Sequence, residues 1–319
     1  MHILLLGGGW SDEHEVSLTG AKAIEQALLD LGHRVTFLDP RHELHRLPEA
    51  ARMTDFAFIN LHGKPGEDGL LQAMLDSIGC PYQGTKADGS LLALNKAAGK
   101  SLFQSAGIPT PAWEFLPRSP APDWQSSLGF PLFVKPNTGG SSLGIALAEG
   151  HEELRSLLSR RFELCEEILL EERVQGMEIT CAVLGEETLP PILVKPPSTA
   201  GFFDFSSKYT PQASEEICPA PIGPKLTSLV EETALRVHRL LGLSGYSRTD
   251  CLFDGETLYV LEANTVPGMT ETSLLPLAAE QRGYAFKDLV AKLIELALQE
   301  HARSALQDNA TAPTGTGAP

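Results

Sequence analysis

Ser247-Arg248-Thr249-Asp250-Cys251-Leu252, followed by Leu258-Tyr259-Val260-Leu261-Glu262-Ala263-Asn264-Thr265, reads as two adjacent strands carrying a polar patch. Side chains alternate along a strand, so Arg248 and Asp250 share one face, and Glu262 and Asn264 share one face of the next strand. An ordinary sheet core fills such positions with Val, Ile or Leu, because an unpaired buried carboxylate costs several kcal/mol. A cation must therefore compensate them. Carboxylate and amide oxygens suit Mg2+, which typically arrives with nucleotide phosphates, so the patch points to an enzyme that uses ATP.

Outward from this patch, 319 residues are enough for two or three domains. A formal net charge of −16 argues against a nucleic-acid binder or a membrane-surface protein, both of which rely on broad basic surfaces, so any phosphate site must be a local basic cluster. Five widely spaced cysteines without a CxxC pair indicate neither a disulfide framework nor a zinc site. The first residues carry no basic leader and no apolar run long enough to span a membrane, which predicts a cytoplasmic protein.

Ile3–Leu6 is an apolar run that ends in Gly7-Gly8-Gly9 and is followed by a helical pattern stopped at Gly32, giving strand, glycine turn, helix. With strand candidates at Val35–Leu38 and Phe56–Ile59 and a helix at Leu70–Ile78, the first ninety or so residues read as βαβ units of a parallel sheet. A dinucleotide fingerprint would need glycine where Asp12 stands. Gly107-Ile108-Pro109-Thr110-Pro111 breaks the next helix. Strands at Phe130–Val134 and Ser141–Ala148, a helix at His151–Phe162 and a strand at Ile168–Glu172 follow as an α+β unit. A third region has strands at Glu178–Leu184 and Ile192–Val194, a long loop from Pro196 to Gln212, a helix over about Lys225–Leu241, the acidic strand pair, and a closing helix at Leu289–Leu298. The Ala/Thr/Gly/Pro-rich end reads as disordered.

Lys135 at a strand end precedes a Gly/Ser loop whose backbone N–H groups can approach phosphate closely. By itself the loop could equally be a polar hairpin turn. Glu171 and Glu172 end another strand, placed either to meet a nucleoside or simply to be solvated.

These residues sit in ordered motifs: GGGWSDEHEVSL (Gly7–Leu18), LHGKPGEDG (Leu61–Gly69), VKPNTGGSSLG (Val134–Gly144), LLEERVQGMEIT (Leu169–Thr180), FFDFSSKY (Phe202–Tyr209), SRTDC (Ser247–Cys251) and LEANTVPGMTETSL (Leu261–Leu274). Together they resemble the D-alanine:D-alanine ligases of the ATP-grasp superfamily over nearly the whole chain. The resemblance implies an α/β and α+β fold: an N-terminal parallel-sheet (pre-ATP-grasp) substrate-binding domain over 1–95, then two α+β subdomains clamping ATP, over 96–178 and 179–303. The lid loop would be 196–212, and 304–319 a disordered tail.

It further implies that ATP phosphorylates one D-alanine and that the amine of a second attacks the acyl phosphate, supplying peptidoglycan precursors. Lys96, Lys135, Ser141, Ser142, Lys208 and Asn264 would contact ATP phosphates or their metal. Asp250, Glu262 and Asn264 would hold two Mg2+ ions, with Mn2+ as a substitute. Glu171, Val174 and Glu178 would form the adenosine site. Arg248 and the Gly268 N–H would stabilise the oxyanion. Glu15 would take the first substrate's ammonium with His62 in the same pocket, and Ser273 with Leu274 would meet the second substrate. Tyr209 would close on Glu15 and Ser141. The family also implies a homodimer.

Two departures stand out. The segment after Glu15 is one residue shorter than the usual V-S-x-x-S-G, which shifts the entry of the first helix, and Asn137-Thr138-Gly139-Gly140 lacks the charge common in this loop. His42 and His45 read as a solvated helix face and Met269 as packing. The nearest alternative is a relative that makes D-alanyl-D-lactate or D-alanyl-D-serine; the former typically replaces the lid tyrosine, and Tyr209 is retained. A degenerate nucleotide-binding regulator would need losses among Lys135, Arg248, Asp250, Glu262 and Asn264, and all five are present.

Overall fold

Every side chain of Ile3–Leu6 is buried to 0% exposure, the condition of a strand covered on both faces. In the computed structural model, which describes residues 1–140, 144–164, 167–195, 215–270 and 272–311 with side chains to 303, this run is β1 (His2–Gly7). It is the middle strand of a parallel sheet, between β2 (Arg34–Leu38) and β3 (Phe56–Asn60). Its period of two divides the core. Ile3 and Leu5 pack with Ile24 and Leu28 of α1 (His14–Asp30), whereas Leu4 and Leu6 meet Leu47, Leu71 and Leu75 on the opposite face. Around that opposite face lie α2 (Pro40–Glu43), α3 (Leu47–Arg52) and α4 (Leu70–Ile78), with α5 (Ala87–Leu94) following.

The glycine turn after β1 is used by the protein's own side chains. Gly8 N–H donates to Ser17 Oγ at 2.8 Å and Gly9 N–H to Asp39 Oδ1 at 2.9 Å. A Cβ on Gly8, which has φ +87°, would lie 2.5 Å from Asp39 Cγ. The glycines thus serve a close approach to Asp39 rather than a dinucleotide pyrophosphate.

α6 (Lys96–Ser105) starts at Asn95, whose side chain accepts from the Ala98 N–H at 3.0 Å as an N-cap. Beyond it, β4 (Trp113–Leu116), β5 (Leu132–Pro136), β6 (Ala146–Ala148) and β7 (Ile168–Glu172) form an antiparallel sheet in the order β4-β7-β5-β6. α7 (His151–Glu163) covers it through Leu154 and Leu158. The six-stranded sheet contains β8 (Met177–Leu184), β9 (Glu187–Thr188), β10 (Ile192–Lys195), β11 (Glu215–Ile217), β12 (Tyr246–Phe253) and β13 (Leu258–Asn264). Its order is β11-β10-β8-β12-β13, with β9 paired to β8. α8 (Gly223–Leu240) covers one face with Val230, Ala234 and Val237. α9 (Leu274–Gln281) and α10 (Phe286–Thr311) return to the first domain, where Leu289 and Leu293 share a core with Ile24 and Leu28.

Several boundaries differ from the sequence reading. β8 crosses the expected junction at 178/179, because Met177 already pairs with Phe253 in the six-stranded sheet. β4 was not anticipated, and of the expected strand Ser141–Ala148 the described residues 144–148 are strand only over Ala146–Ala148. The closing helix begins at Phe286 and continues to Thr311, so residues 304–311, expected as tail, are helical. They contain no breaker; the first proline is Pro313. The break at 107–111 is stitched to β13, Val260 N–H donating to Pro109 O at 2.8 Å and Thr110 Oγ1 to Val260 O at 2.7 Å.

Candidate active site

The polar patch forms as the alternation rule predicts. β12 lies between β8 and β13 and sets Arg248 opposite Asn264, and Asp250 opposite both Glu262 and Thr180. A bulge follows Asp250, the kind of irregularity that re-aims side chains next to sites. Arg248 donates from Nε to Asp250 Oδ1 and from Nη2 to Oδ2, each at 2.8 Å. Thr180 Oγ1 adds a bond at 2.6 Å and Asn264 Nδ2 one at 3.0 Å. Burial works against the Arg248 charge, but Asp250 outweighs it and holds the guanidinium pKa above its ordinary value. Asp250 is thus an anchored carboxylate with both oxygens already in use.

α6 brings a lysine to the same patch. Lys96 Nζ lies 3.1 Å from Glu262 Oε2 and donates to Gly139 O at 2.5 Å, so it joins the phosphate-type loop to β13. Asn137 docks that loop on the start of α6. It is 0% exposed, accepts the Ala97 N–H at 2.9 Å and donates to Asn95 Oδ1 at 3.1 Å and Glu167 Oε2 at 3.0 Å. The uncharged residue is therefore a buried fastener, a position that a charge would fill only at a desolvation cost.

Lys135, at the end of β5, forms an ion pair with Glu171 Oε1 and lies 5.3 Å from the centre of the Phe133 ring. Lys100, on α6 one turn beyond Lys96, holds Glu171 Oε2 at 2.6 Å. Burial alone would raise the Glu171 pKa; Lys135 and Lys100 overcome it and hold the carboxyl at about 2. Lys100 was not foreseen. Its i,i+4 spacing from Lys96 was visible, but its partner lies on β7. Val174 is half-buried in the turn joining β7 to β8, and Glu178 lies on β8 between Val194 and Leu252, so these two border the same junction.

On the side of the parallel sheet, His62 is buried, contacts Val266 O through Nδ1 at 3.1 Å, and has its pKa lowered by burial. Its electrostatic neighbours are Glu13 and Arg248. Glu67 accepts the Gly63 N–H at 2.6 Å and the Val266 N–H at 3.3 Å. Burial and the charge of Glu13 push it up to about 8. Glu15 departs from its expected place beside His62. It belongs to the outer face of the first turn of α1, its side chain is 89% exposed, and its Oε1 meets His14 Nδ1 at 3.1 Å. The carboxylate next to His62 is Glu13, 5% exposed at the N-cap, where the chain has not yet turned outward.

After β13, Gly268 and Ser273 are adjacent: a Cβ on Gly268 would lie 2.7 Å from Ser273 Oγ. Ser273 occupies the N-cap of α9, but its hydroxyl turns back to the Thr270 N–H at 3.0 Å. Leu274 and Met269 pack into the first core. His42 and His45 are exposed. Ser141, Ser142, Lys208, Tyr209 and the loop 196–212, apart from its neighbours, lie outside the described residues. A cleft of about 530 Å³ is lined in part by Trp10, Glu13, Lys64, Gly139, Gly140 and Arg161.

Residues 102–295 match the model of a family described as "D-ala D-ala ligase C-terminus". The D-alanine--D-alanine ligase of Nitratidesulfovibrio vulgaris is 54% identical over 299 residues, covering 93% of this chain and 98% of its own length.

The chain belongs to the D-alanine--D-alanine ligase family.

The enzyme of that name from Maridesulfovibrio salexigens is 52% identical over 93% of this chain and 98% of its own. Among solved structures, D-alanine--D-alanine ligase from Bacillus anthracis superposes with a TM-score of 0.85 at 34% identity, covering 95% of this chain and 99% of that one. A structure of the Bacillus anthracis enzyme complexed with ATP gives 0.84 at 33%, with the same coverage. The likeness spans the parallel sheet as well as the two antiparallel sheets, which is the ATP-grasp arrangement expected from the motifs. Among the described residues no helix is long and apolar enough to cross a membrane.

Proposed function

We propose that this member of the ligase family joins two D-alanines into D-alanyl-D-alanine at the expense of ATP, for peptidoglycan precursors. The observation that carries the reading is the convergence of Lys96, Lys135, Arg248, Asp250, Glu262 and Asn264 where the two antiparallel sheets meet the glycine loop. Phosphoryl transfer needs charge neutralisation and alignment more than covalent help, and this patch supplies both.

Lys96 and Lys135 hold the nucleotide phosphates while the γ-phosphoryl group passes to the carboxylate of the first D-alanine, leaving ADP. The amine of the second D-alanine then attacks the acyl carbon, and phosphate departs. Arg248 spends Nε and Nη2 on Asp250, so Nη1 is left to face the oxyanion with the Gly268 N–H. Donors fixed in this way contribute on the order of 3 kcal/mol each.

Among the described residues no cluster of three His, Cys, Asp or Glu forms a ready-made metal cage. Glu262 and Asn264, with Asp250 opposite, nevertheless fit Mg2+, which is commonly held by one or two carboxylates plus substrate phosphates. The Lys96 ammonium at Glu262 marks where positive charge is wanted. When bound, Mg2+ or Mn2+ neutralises charge on the transferring phosphate. Glu171, Val174 and Glu178 receive the adenosine. Ser273 and Leu274 border the second substrate, Glu13 and His62 the first in place of the expected Glu15, and Ser141, Ser142, Lys208 and Tyr209 complete the closed site. The enzyme acts in the cytoplasm as a homodimer.

The test is phosphate release by the purified protein with ATP and Mg2+, comparing D-alanine with L-alanine, D-lactate and D-serine. D-alanine alone should drive rapid release with D-alanyl-D-alanine as product. No stimulation by D-alanine overturns the proposal, and a stronger response to D-alanine with D-lactate or D-serine shifts it to the depsipeptide or D-serine relatives.

A further inference from the structure

Lys100 has no part in the chemistry above, yet it is the one lysine among the described residues that is fully buried, at 1% exposure. Burial disfavours an ammonium, and a Met or Leu of similar volume would pack there without that desolvation cost. Its surroundings are specific. Nζ lies 2.6 Å from Glu171 Oε2 and donates to Thr110 Oγ1 at 2.5 Å. Thr110 in turn donates to Val260 O of β13 at 2.7 Å. Lys100 therefore links Glu171 of the four-stranded sheet to the strand of the six-stranded sheet that bears Glu262 and Asn264.

The other oxygen of Glu171 belongs to Lys135. On the proposed function, Glu171 faces adenosine and Lys135 serves phosphate. Once the Lys135 ammonium is drawn to phosphate, its three donors and its single charge are shared between the nucleotide and Glu171. When Lys135, at a strand end and with a 12% exposed side chain, turns to the nucleotide, a carboxylate that is 2% exposed needs a second cation that stays. Lys100, gripped by Thr110, meets that need.

We propose that Lys100 is a positioning residue for nucleotide binding: the fixed counter-ion that holds Glu171 toward adenosine once Lys135 engages phosphate, and the tie that links this pocket to β13. The proposal rests on the nucleotide roles of Glu171 and Lys135 given above. The charged groups around Glu171 are Lys135 from β5 and Lys100 from α6, with Glu262 of β13 acting on Lys100 from further away. Its register partner on β4, Trp113, is uncharged.

The experiment is calorimetric titration of the full chain with ATP and Mg2+ between pH 6 and 8.5, for wild type, Lys100→Met and Lys100→Met/Glu171→Gln. Wild type should bind with little dependence on pH. Lys100→Met should bind about tenfold or more weakly, the loss of one charge-assisted contact, and more weakly still as pH falls, because Glu171 without its fixed cation takes up a proton. The double variant should remain weak and lose the pH dependence. A mere packing role would lower the melting temperature of Lys100→Met and leave ATP affinity and its pH profile at wild-type values, which overturns the proposal. If Lys100→Met does not fold, Thr110→Val keeps both charges and cuts the tie; undiminished ATP affinity in that variant overturns the proposal equally. ATP binding with these variant effects, but no D-alanine-stimulated phosphate release, overturns the ligase reading and leaves the role of Lys100 standing.

Discussion

Arg248 grips Asp250 through two parallel hydrogen bonds of 2.8 Å, from residues two apart on one strand. This pairing decides how much of the patch is scaffold and how much is free for chemistry. Lysine carries the same charge but cannot make the fork. Arg248→Lys should therefore fold and lose about 10²–10³-fold in kcat. Arg248→Ala, which strands a buried carboxylate, should lower stability by about 3–5 kcal/mol. Steady-state kinetics and denaturant melts separate the two, and a fully active Arg248→Lys would place the oxyanion elsewhere.

Glu262 is less enclosed, its side chain being 22% exposed, with Lys96 at 3.1 Å. Glu262→Gln should keep the fold and reduce Mg2+-dependent phosphoryl transfer by roughly two or more orders of magnitude, as loss of a transition-state charge ligand does. The check is single-turnover ADP formation at several Mg2+ concentrations. Unchanged rates would mean that Glu262 is not at the metal.

Glu67 makes stability depend on pH. Burial first, then the nearby Glu13 charge, raise its carboxyl from an ordinary 4.5 to about 8. The folded state thus holds a proton that the unfolded chain releases, so this contribution is complete below pH 4.5 and is lost as pH rises toward 8. Melting temperatures across pH 5 to 9 should fall more steeply for wild type than for Glu67→Gln. Parallel curves would show that Glu67 is ionised in the folded protein.

Gly66 has no room for a side chain. A Cβ there would lie 2.2 Å from Leu61 O and 2.4 Å from Leu61 Cβ. Gly66→Ala should cost about 1–3 kcal/mol, the usual range for overpacking. Because the same segment carries His62 and Glu67, both of which hold Val266, kcat should fall along with stability. Wild-type values for both in the variant would show that the segment relaxes freely.

Local rules carried the reading a long way. Continuous apolar character marked Ile3–Leu6 as a covered parallel strand, and the period of two placed Arg248 with Asp250 and Glu262 with Asn264 on one patch. Strand geometry alone is enough for this, since alternation needs no knowledge of the remaining chain. The ordered motifs gave the family because each is short, chemically constrained and correctly placed along the chain.

What local pattern could not supply is pairing across distance. Lys100 and Glu171 are 71 positions apart, His62 and Val266 204 apart; the phase of α1 turns Glu15 outward while Glu13 stays beneath the loop. Which charge is buried, and against which partner, depends on how helices and sheets pack, and burial is what turns an ordinary Lys or Glu into a costly and therefore specific group. The sequence by itself determined the alternation, the turns and the inventory of chemical groups. The tertiary structure alone decided that Thr180 and Asn264 close around the Arg248–Asp250 pair, that Asn137 fastens the glycine loop, and that Glu171 lies between two lysines, because each of these requires surfaces from separate elements to exclude water together.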